Sequence, residues 1–349
     1  MEQMSPKERL YAILRREEVD RIAVAQPLQT GTVELMESCG AFWPAVHSDA
    51  ELMAALAYEA YDKIGFESVR VPFDVNVESE ALGCVLDYFK GSGKGRDIQP
   101  SVKTAPISTL EELEALADPD PYTSARMPVV LQAIRLLRGR LPAEVPILSA
   151  VVGPFMVAGQ IRGVDPFMRE VMRDPEFVKK VVEKAFRTCR AYAQAQVEAG
   201  SDVIVIVDAT ASPDLISPTQ FDTFAKPYTT DLAASVPVPT ILHICGRSKP
   251  SLVSMAECAD GVSIDSLVPM HEAKEIVGNR AAVCGNVDVN DTLLFRGEDE
   301  VAAEVRRIID EGADILCTSC GISPLSESKN LIAMVKTAKS YAAEVARSR

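Results

Sequence analysis

A histidine and a cysteine stand two residues apart in a short apolar run. His243 and Cys245 lie near the end of Thr240-Ile241-Leu242-His243-Ile244-Cys245-Gly246, which the pattern predicts as a strand. Because side chains at i and i+2 of a strand point to the same side, we expect these two to converge. Gly246 follows, where the backbone is expected to turn toward a helix. An imidazole and a thiolate from one strand end can form half of a zinc site.

The other half of such a site needs a ligand from another strand end. A second predicted strand runs into Asp314-Ile315-Leu316-Cys317-Thr318-Ser319-Cys320-Gly321, with Cys317 on the strand and Cys320 in the loop beyond it. In a closed barrel the carboxyl ends of all strands face one mouth, so both segments can share an ion. Cys317 is expected to point into the barrel or its helical layer, but it competes with Cys320. The alternative is a buried histidine beside structural cysteines, which composition alone favours.

The ligand types indicate the chemistry of such a site. Two thiolates lower the effective charge of a zinc ion, so it suits holding an exogenous sulfur as a thiolate better than activating water. Catalysis requires an open fourth position, whereas a closed site is structural. Four aspartates follow predicted strands at this rim, namely Asp74, Asp208, Asp265 and Asp288. Each could instead cap a helix, and we predict Asp265 as the neighbour of zinc and the catalytic carboxylate.

Eight short β-branched runs predict the elements that position these residues. They cover residues 22–26, 68–73, 147–152, 202–207, 240–244, 261–264, 281–285 and 314–317. Most are continuously apolar, as expected for parallel strands that are covered on both faces. Eight strands alternating with helices are typical of an α/β fold of the (β/α)8 type, the TIM barrel. A doubly wound open sheet is the alternative, but no Gly-rich phosphate turn follows an early strand.

Two segments extend the predicted barrel. Residues 1–20 carry a helical pattern with a capping box that begins at Ser5, which predicts an N-terminal helix. Residues 75–107 are strand-like, with a Gly-Ser-Gly-Lys-Gly turn at 91–95, which predicts a β-hairpin inserted after the second strand. Residues 1–349 are predicted to form a single TIM-barrel domain. The two other histidines, His47 and His271, lie at helix starts and are interpreted as surface or capping residues.

Composition limits the class of protein. The chain has 349 residues, is 47% hydrophobic and carries a formal net charge of -14, which argues against a nucleic-acid surface because phosphate binding needs concentrated Lys and Arg. No run approaches the roughly 20 apolar residues that span a bilayer, so no membrane partner is expected. The 8 cysteines, without a secretion signal, are not expected to form a disulfide framework. We therefore predict free thiols and a cytoplasmic location.

Several segments together resemble a known family. They are Gln29-Thr30-Gly31-Thr32-Val33-Glu34-Leu35-Met36, Phe42-Trp43-Pro44, Arg70-Val71-Pro72-Phe73-Asp74, Glu80-Ala81-Leu82-Gly83-Cys84, His243-Ile244-Cys245-Gly246, Gly285-Asn286-Val287-Asp288 and Ser319-Cys320-Gly321-Ile322. Over nearly the whole chain, they resemble the methylcobamide:coenzyme M methyltransferase branch of the uroporphyrinogen decarboxylase superfamily. The resemblance implies a TIM barrel and a zinc ion held by His243, Cys245 and Cys320. It favours Cys320 over Cys317 because the family ligand precedes the Gly-Ile pair.

The resemblance also implies a reaction and a partner. A methyl group would pass from methylcobalamin, carried on a methylated corrinoid protein, to the thiol of coenzyme M. The chain has no Asp-x-His-x-x-Gly stretch for corrinoid binding, so the cobalt cofactor is expected to arrive on that partner. We predict that Arg70, Asp208 and Asn286, which lie in or directly after predicted strands, bind the substrate.

Other functions remain open from the sequence. One is a metal-free tetrapyrrole decarboxylase, but residues 22–32 contain no arginine, whereas the decarboxylases bind porphyrinogen carboxylates there with an Arg-rich motif. Another is a non-catalytic corrinoid-binding or scaffold protein with structural thiols. Coenzyme M as acceptor follows from the resemblance, and homocysteine or another small thiol is the alternative.

Overall fold

The structure of the protein is a computed structural model that describes residues 4–89 and 96–348, with side chains up to residue 341. Its strands are β1 (Val69–Val71), β2 (Val85–Asp87), β3 (Ser101–Thr104), β4 (Ile147–Val152), β5 (Val203–Val207), β6 (Thr240–Ile244), β7 (Gly261–Ile264), β8 (Ala282–Val287) and β9 (Ile315–Thr318). Its α-helices are α1 (Pro6–Leu14), α2 (Val33–Cys39), α3 (Ala50–Glu59), α4 (Val77–Ala81), α5 (Leu110–Ala115), α6 (Met127–Arg140), α7 (Pro154–Arg162), α8 (Val164–Arg173), α9 (Pro175–Ala199), α10 (Pro218–Gln220), α11 (Lys226–Ala234), α12 (Leu252–Ala256), α13 (Met270–Val277), α14 (Thr292–Phe295), α15 (Glu298–Asp310) and α16 (Ser328–Ser348). Within these ranges, no helix has both the length and the apolar character needed to cross a membrane.

Seven parallel strands form one curled sheet in the order β1-β4-β5-β6-β7-β8-β9. Their residues are buried throughout, because helices cover the outer face and side chains from the strands fill the inside. The structure confirms the predicted strands 147–152, 240–244 and 261–264 with the same boundaries. Four others are confirmed with ends shifted by one or two residues. The sheet therefore has the strand order that a TIM barrel requires.

Side chains along the strands alternate between the barrel interior and the layer that faces the helices. One buried apolar cluster contains Leu148, Ile241 and Cys317 together with residues of α1, and it fills the interior. A larger cluster, which includes Val151 and Leu242, packs against the surrounding helices. The two clusters show toward which side each strand residue points.

Helix α1 covers the amino end of the barrel. Its Ile13 and Leu14 belong to the interior cluster, and the hydroxyl of Tyr11 donates to the carbonyl of Asp202, just before β5, at 3.0 Å. The predicted N-terminal helix is confirmed over Pro6–Leu14, and its capping box forms as predicted. Since α1 occupies the amino end, the opposite end is the one at which strand-end residues can meet a ligand.

The segment 22–26, predicted as the first strand, is not a regular strand. An isolated parallel bridge joins Ala23 to Ile315 of β9. On the other side, the carbonyl of Val24 accepts the amide of Glu67 at 3.0 Å, but the amide of Val24 donates to the Glu67 side chain at 3.1 Å. A carboxylate thus replaces a main-chain carbonyl and interrupts the ladder. The segment still links β9 to β1 and closes the barrel.

The inserted hairpin is present over part of the predicted range. β2 pairs antiparallel with β3, and the predicted turn at 91–95 lies outside the described residues. The prediction that this segment begins as a strand is wrong, because Val77–Ala81 forms α4. The amide of Asn76 donates to the carboxylate of Asp74 at 3.0 Å, which turns the chain into the helix.

Candidate metal centre

His243 and Cys245 meet at the carboxyl end of β6. Ile241 points into the barrel interior, so His243, two residues further along, points to the same side, where its side chain is buried. The Nε2 of His243 lies 3.0 Å from the Sγ of Cys245, which is half-buried just past the strand. Strand geometry therefore produces the convergence expected from the spacing.

Cys320 reaches the same point from the loop after β9. Its Sγ lies 3.4 Å from the Sγ of Cys245, and the ligand atoms of Cys320, Cys245 and His243 all lie within 4.8 Å of one another. Over the part of the chain that the structure describes, no other three His, Cys, Asp or Glu side chains offer ligand atoms this close together. Cys317 stays buried in the interior cluster. The fold thus brings Cys320, and not Cys317, to the pair on β6.

Ser263 of the neighbouring strand β7 orients the imidazole of His243. The Nδ1 of His243 lies 3.0 Å from the Oγ of Ser263 and 3.2 Å from its carbonyl oxygen. Because a carbonyl oxygen only accepts, we assign the ring proton to Nδ1, which leaves the lone pair of Nε2 facing the thiols. Ser263 is not among the site residues predicted from the sequence, which place Asp265 next to the zinc ion. The available signal was its position two residues before Asp265, on the same face of the predicted strand.

The two thiols of the centre influence each other's pKa. The hydrogen bond from Cys245 and a second one involving His243 lower the pKa of Cys320, against the effect of burial. The same thiol–thiol hydrogen bond, together with burial, raises the pKa of Cys245. The arrangement therefore favours a negative charge on Cys320, as a metal ligand requires.

A turn fixed by Asp265 carries Cys245. Gly246 has φ +79°, and a Cβ at this position would overlap the Oδ2 of Asp214, so the turn needs glycine. The carboxylate of Asp265 accepts the amide of Gly246 at 3.0 Å and that of Leu267 at 3.1 Å. Asp265 lies outside the group of three close ligand atoms, so this turn is the contact that the structure assigns to it.

Asp208 is buried beside the donor set. Its amide donates to the carbonyl of His243 at 3.0 Å, and its side chain lies against Gly153, where a Cβ would overlap it. Burial raises the pKa of the Asp208 carboxyl to about 7, although the backbone amides of Phe155 and Met156 oppose the shift. A carboxyl group at the mouth of the barrel is thus available in neutral form near neutral pH.

Asn286 holds the loop that carries Asp265. Its Nδ2 donates to the carbonyls of Asp265 at 3.0 Å and Val268 at 2.8 Å, while its buried Oδ1 has no partner within the described structure. Asp288 accepts the amides two and three residues further along, as expected of a capping residue. The amide donors of Asn286 are therefore used within the protein, where they hold the loop after β7.

His47 is fully buried, so its interpretation as a surface or capping residue is wrong. Its Nδ1 lies 3.0 Å from a carboxylate oxygen of Asp74, which Arg126 also contacts at 2.8 and 3.1 Å. Burial raises the pKa of Asp74, but Arg126 and His47 outweigh it and hold that pKa well below its usual range. The loop before α3 folds onto the barrel and covers this carboxylate.

Fold and donor set together define a TIM-barrel protein with a candidate metal centre at the carboxyl ends of its strands. The uroporphyrinogen decarboxylase (URO-D) family matches residues 5–341. The chain is 37% identical over 344 residues to the methylcobamide:CoM methyltransferase MtaA of Methanosarcina barkeri, covering 98% of this chain and 99% of that protein. It is 37% identical over 347 residues to the methylcobamide:CoM methyltransferase MtbA of Methanosarcina acetivorans, with coverage of 98% and 99%.

A solved structure agrees with these relatives. The structure of a methyltransferase from Methanosarcina mazei matches with a TM-score of 0.93 at 37% identity, covering 97% of this chain and 99% of that one. The chain therefore belongs to the uroporphyrinogen decarboxylase family and, within it, to the branch of methylcobamide:coenzyme M methyltransferases. This confirms both the resemblance drawn from the sequence and the predicted TIM barrel.

Proposed function

We propose that the protein transfers a methyl group from a methylated corrinoid to the thiol of coenzyme M. The observation that carries this proposal is the donor set of His243, Cys245 and Cys320 at the mouth of the barrel. Two thiolates and one imidazole suit the activation of a thiol better than the activation of water. The relatives named methylcobamide:CoM methyltransferases support the same reaction.

The three side chains fit a zinc ion. Tetrahedral zinc, with Zn–S bonds of about 2.3 Å and a Zn–N bond of about 2.0 Å, separates its sulfur ligands by roughly 3.8 Å and a nitrogen from a sulfur by roughly 3.5 Å. The two Sγ atoms lie 3.4 Å apart, and His243 Nε2 lies 3.0 Å from Cys245 Sγ. Outward shifts of about half an ångström bring the donors to these separations. A zinc ion held by these three side chains would have room for a fourth ligand, which the acceptor sulfur could supply.

The residues around the donors prepare the acceptor for attack. When bound, zinc supplies a cationic centre that favours the thiolate over the thiol. Ser263 keeps the proton of His243 on Nδ1, and Asp265 fixes the turn at Gly246 that carries Cys245. After its proton passes to solvent, the acceptor sulfur attacks the methyl carbon of the corrinoid. The carbon–sulfur bond forms, and the cobalt–carbon bond breaks with its electron pair on cobalt, which changes from Co(III) to Co(I).

The mouth of the barrel is the proposed docking surface for the corrinoid protein that delivers the methyl group. Large apolar side chains are exposed in the connections after four strands, namely Leu215 in the loop after β5, Leu267 in the loop after β7, Phe295 at the end of α14 after β8 and Leu325 in the loop after β9. Exposed apolar side chains gathered near a site are typical of a surface that binds another protein. These connections border the mouth that holds the three donors, so a docked partner can present its methyl group there.

Demethylation of methylcobalamin, followed spectrophotometrically with and without a zinc chelator, tests the proposed function. Coenzyme M, homocysteine and 2-mercaptoethanol serve as acceptors, and metal analysis measures the zinc content. We expect about one zinc ion per chain, activity with coenzyme M and loss of activity on chelation. Cys320→Ser is expected to lose zinc and activity together, whereas Cys317→Ser, which changes a buried thiol outside the donor set, keeps both.

Three outcomes would contradict parts of the proposal. Zinc loss in Cys320→Ser without loss of demethylation would show that the donor set is not catalytic. A chain free of zinc that releases carbon dioxide from a porphyrinogen would support the metal-free decarboxylase. Zinc held by four protein ligands, with no response to added thiol, would indicate a structural site.

A further inference from the structure

Arg70 is a buried arginine in the wall of the barrel. It pairs with Leu148 of β4, a residue of the interior cluster, whereas Val69 and Val71 on either side of it belong to the outer cluster. Its side chain therefore points into the barrel. The guanidinium extends toward the carboxyl end, because its Nη1 donates to the carbonyl of Pro72, two residues further along the chain. The three metal donors lie at this same end.

No ion pair neutralises the charge of Arg70. Within the described part of the chain, no carboxylate oxygen lies within 4.0 Å of its guanidinium nitrogens, and its buried Nε has no hydrogen-bond partner. The two other buried arginines that the structure describes both bind carboxylates: Arg9 contacts Asp20 at 2.7 Å, and Arg126 contacts Asp74 at 2.8 Å. A buried charge without a partner destabilises the folded state. Folding therefore does not explain why the guanidinium of Arg70 is left without an ion pair.

The two acids that act on Arg70 through their charge already have other partners. Asp74 binds Arg126 through both carboxylate oxygens. Glu78 accepts the amide of Val152 at 2.8 Å, and burial raises its pKa to about 7, so a large fraction is neutral near neutral pH. Burial lowers the pKa of Arg70 to about 10, which still keeps the guanidinium charged there. The wall thus holds a cation whose Nε–H has no hydrogen-bond partner within the described structure.

The position of β1 in the sheet directs this cation toward the candidate metal centre. β1 stands three strands from β6 in the sheet order, so Arg70 faces His243 and Cys245 across the interior of the barrel. A small molecule with its sulfur at the metal donors can therefore direct its other end toward Arg70. A guanidinium presents several N–H donors in one plane and suits the oxygens of a sulfonate or a carboxylate.

We propose that Arg70 binds the anionic group of the acceptor thiol, at the end opposite to its sulfur. The assignment rests on the proposed methyl transfer to a thiol at the metal donors. It makes the acceptor class a short thiol that carries a sulfonate or a carboxylate, and coenzyme M belongs to this class. Arg70 then determines specificity, because a neutral thiol gains nothing from the guanidinium.

Ethanesulfonate, which carries the anionic group but no thiol, tests the anion site without the reaction. Calorimetric titration of the chain, with and without zinc, is expected to show binding that Arg70→Gln weakens about tenfold or more. Arg9→Gln is the matched control, because Arg9 and Arg70 are each 2% exposed but Arg9 lies on α1 at the other end of the barrel. This control is expected to lose stability and keep ethanesulfonate affinity. Equal affinity in the unmodified chain and Arg70→Gln would overturn the assignment.

Kinetics with a panel of thiols separates recognition from a purely structural role. Arg70→Gln is expected to raise KM for coenzyme M by about tenfold to a hundredfold, and to leave kcat/KM for 2-mercaptoethanol within about twofold. Arg70→Lys, which keeps the charge but not the planar donors, should give an intermediate KM. Comparison with 3-mercaptopropionate shows whether a sulfonate or a carboxylate is preferred. Equal losses with the charged and the neutral thiol would overturn the assignment.

The proposed function and the role of Arg70 fail in different ways. If no thiol accepts a methyl group, the proposed reaction is wrong, and the ethanesulfonate titration still decides whether Arg70 binds an anion. If coenzyme M is methylated and Arg70→Gln changes neither its KM nor the ethanesulfonate affinity, the reaction stands and the assignment of Arg70 is wrong.

Discussion

Replacement of Ser263 by alanine tests how the donor set is held together. Two acceptors share the Nδ1–H of His243, the Ser263 hydroxyl at 3.0 Å and its carbonyl oxygen at 3.2 Å. Ser263→Ala removes the first and leaves the second, so part of the restraint on the imidazole survives. A net loss of about 0.5–1.5 kcal/mol for one hydrogen bond corresponds to roughly a twofold to tenfold change in affinity. We expect zinc affinity to fall by this factor. Loss of a residue that orients a metal ligand typically lowers metal affinity by about tenfold to a hundredfold, so the expected change lies at or below the lower end of that range.

Competition with a chromophoric chelator measures the zinc affinity, and urea unfolding measures the stability of the zinc-free chain. Ser149→Ala is the matched control, because Ser149 is also fully buried on a strand and lies 2.7 Å from the Oγ of Ser201, away from the donors. Both variants should lose stability, but only Ser263→Ala should lose zinc affinity. Unchanged zinc affinity in Ser263→Ala, or equal losses of zinc affinity in both variants, would show that the Ser263 hydroxyl does not position His243 for zinc binding.

Three further predictions, tested with four variants, concern the surroundings of the site. The pKa of Glu78 in the folded protein, about 7, lies above its usual 4.5, so stability falls as pH rises between these values. Glu78→Gln should remove this decline, which amounts to at most roughly 3 kcal/mol in the free energy of unfolding between about pH 5 and pH 8, as measured by urea unfolding. An unchanged pH profile would contradict this prediction. Gly246→Ala places a Cβ against Asp214 at positive φ and should cost about 1–3 kcal/mol in unfolding experiments and lower the zinc content; full stability and zinc would argue against a strained turn. Leu267→Ser and Phe295→Ser should slow methyl transfer from the corrinoid protein about tenfold and leave transfer from free methylcobalamin unchanged. Equal slowing with both donors would show that these side chains do not form the docking surface.

Local sequence determined most of the elements and the first half of the site. Helix α9 begins and ends where its own flanking residues direct it, because Asp174 caps it and Gly200 ends it in the left-handed region. His243 and Cys245 converge because their spacing matches the two-residue period of a strand. These features depend on residues close together in the chain, so periodicity and capping patterns are enough to predict them.

The closing segment of the barrel and the environment of His47 depend on contacts that local patterns do not contain. The carboxylate of Glu67 takes an amide that a regular strand would give to a carbonyl, so the segment 22–26 closes the barrel without becoming a strand. The folded chain places His47 beside the buried carboxylate of Asp74, although its position at a helix start is typical of an exposed residue. Both results require knowing which distant residue arrives next to the segment.

The contacts that bring the residues of the site together depend on the tertiary structure. Cys320 and not Cys317 reaches Cys245, because the last residues before the loop turn one thiol into the interior and carry the other to the mouth. Ser263 contacts His243 because β6 and β7 are neighbours in the sheet. The sequence predicts Arg70 as a substrate-binding residue on a strand, but the burial of its guanidinium without an ion pair becomes apparent only once the barrel has formed. Strand order and barrel closure set these contacts, and the period of a single strand carries no information about either.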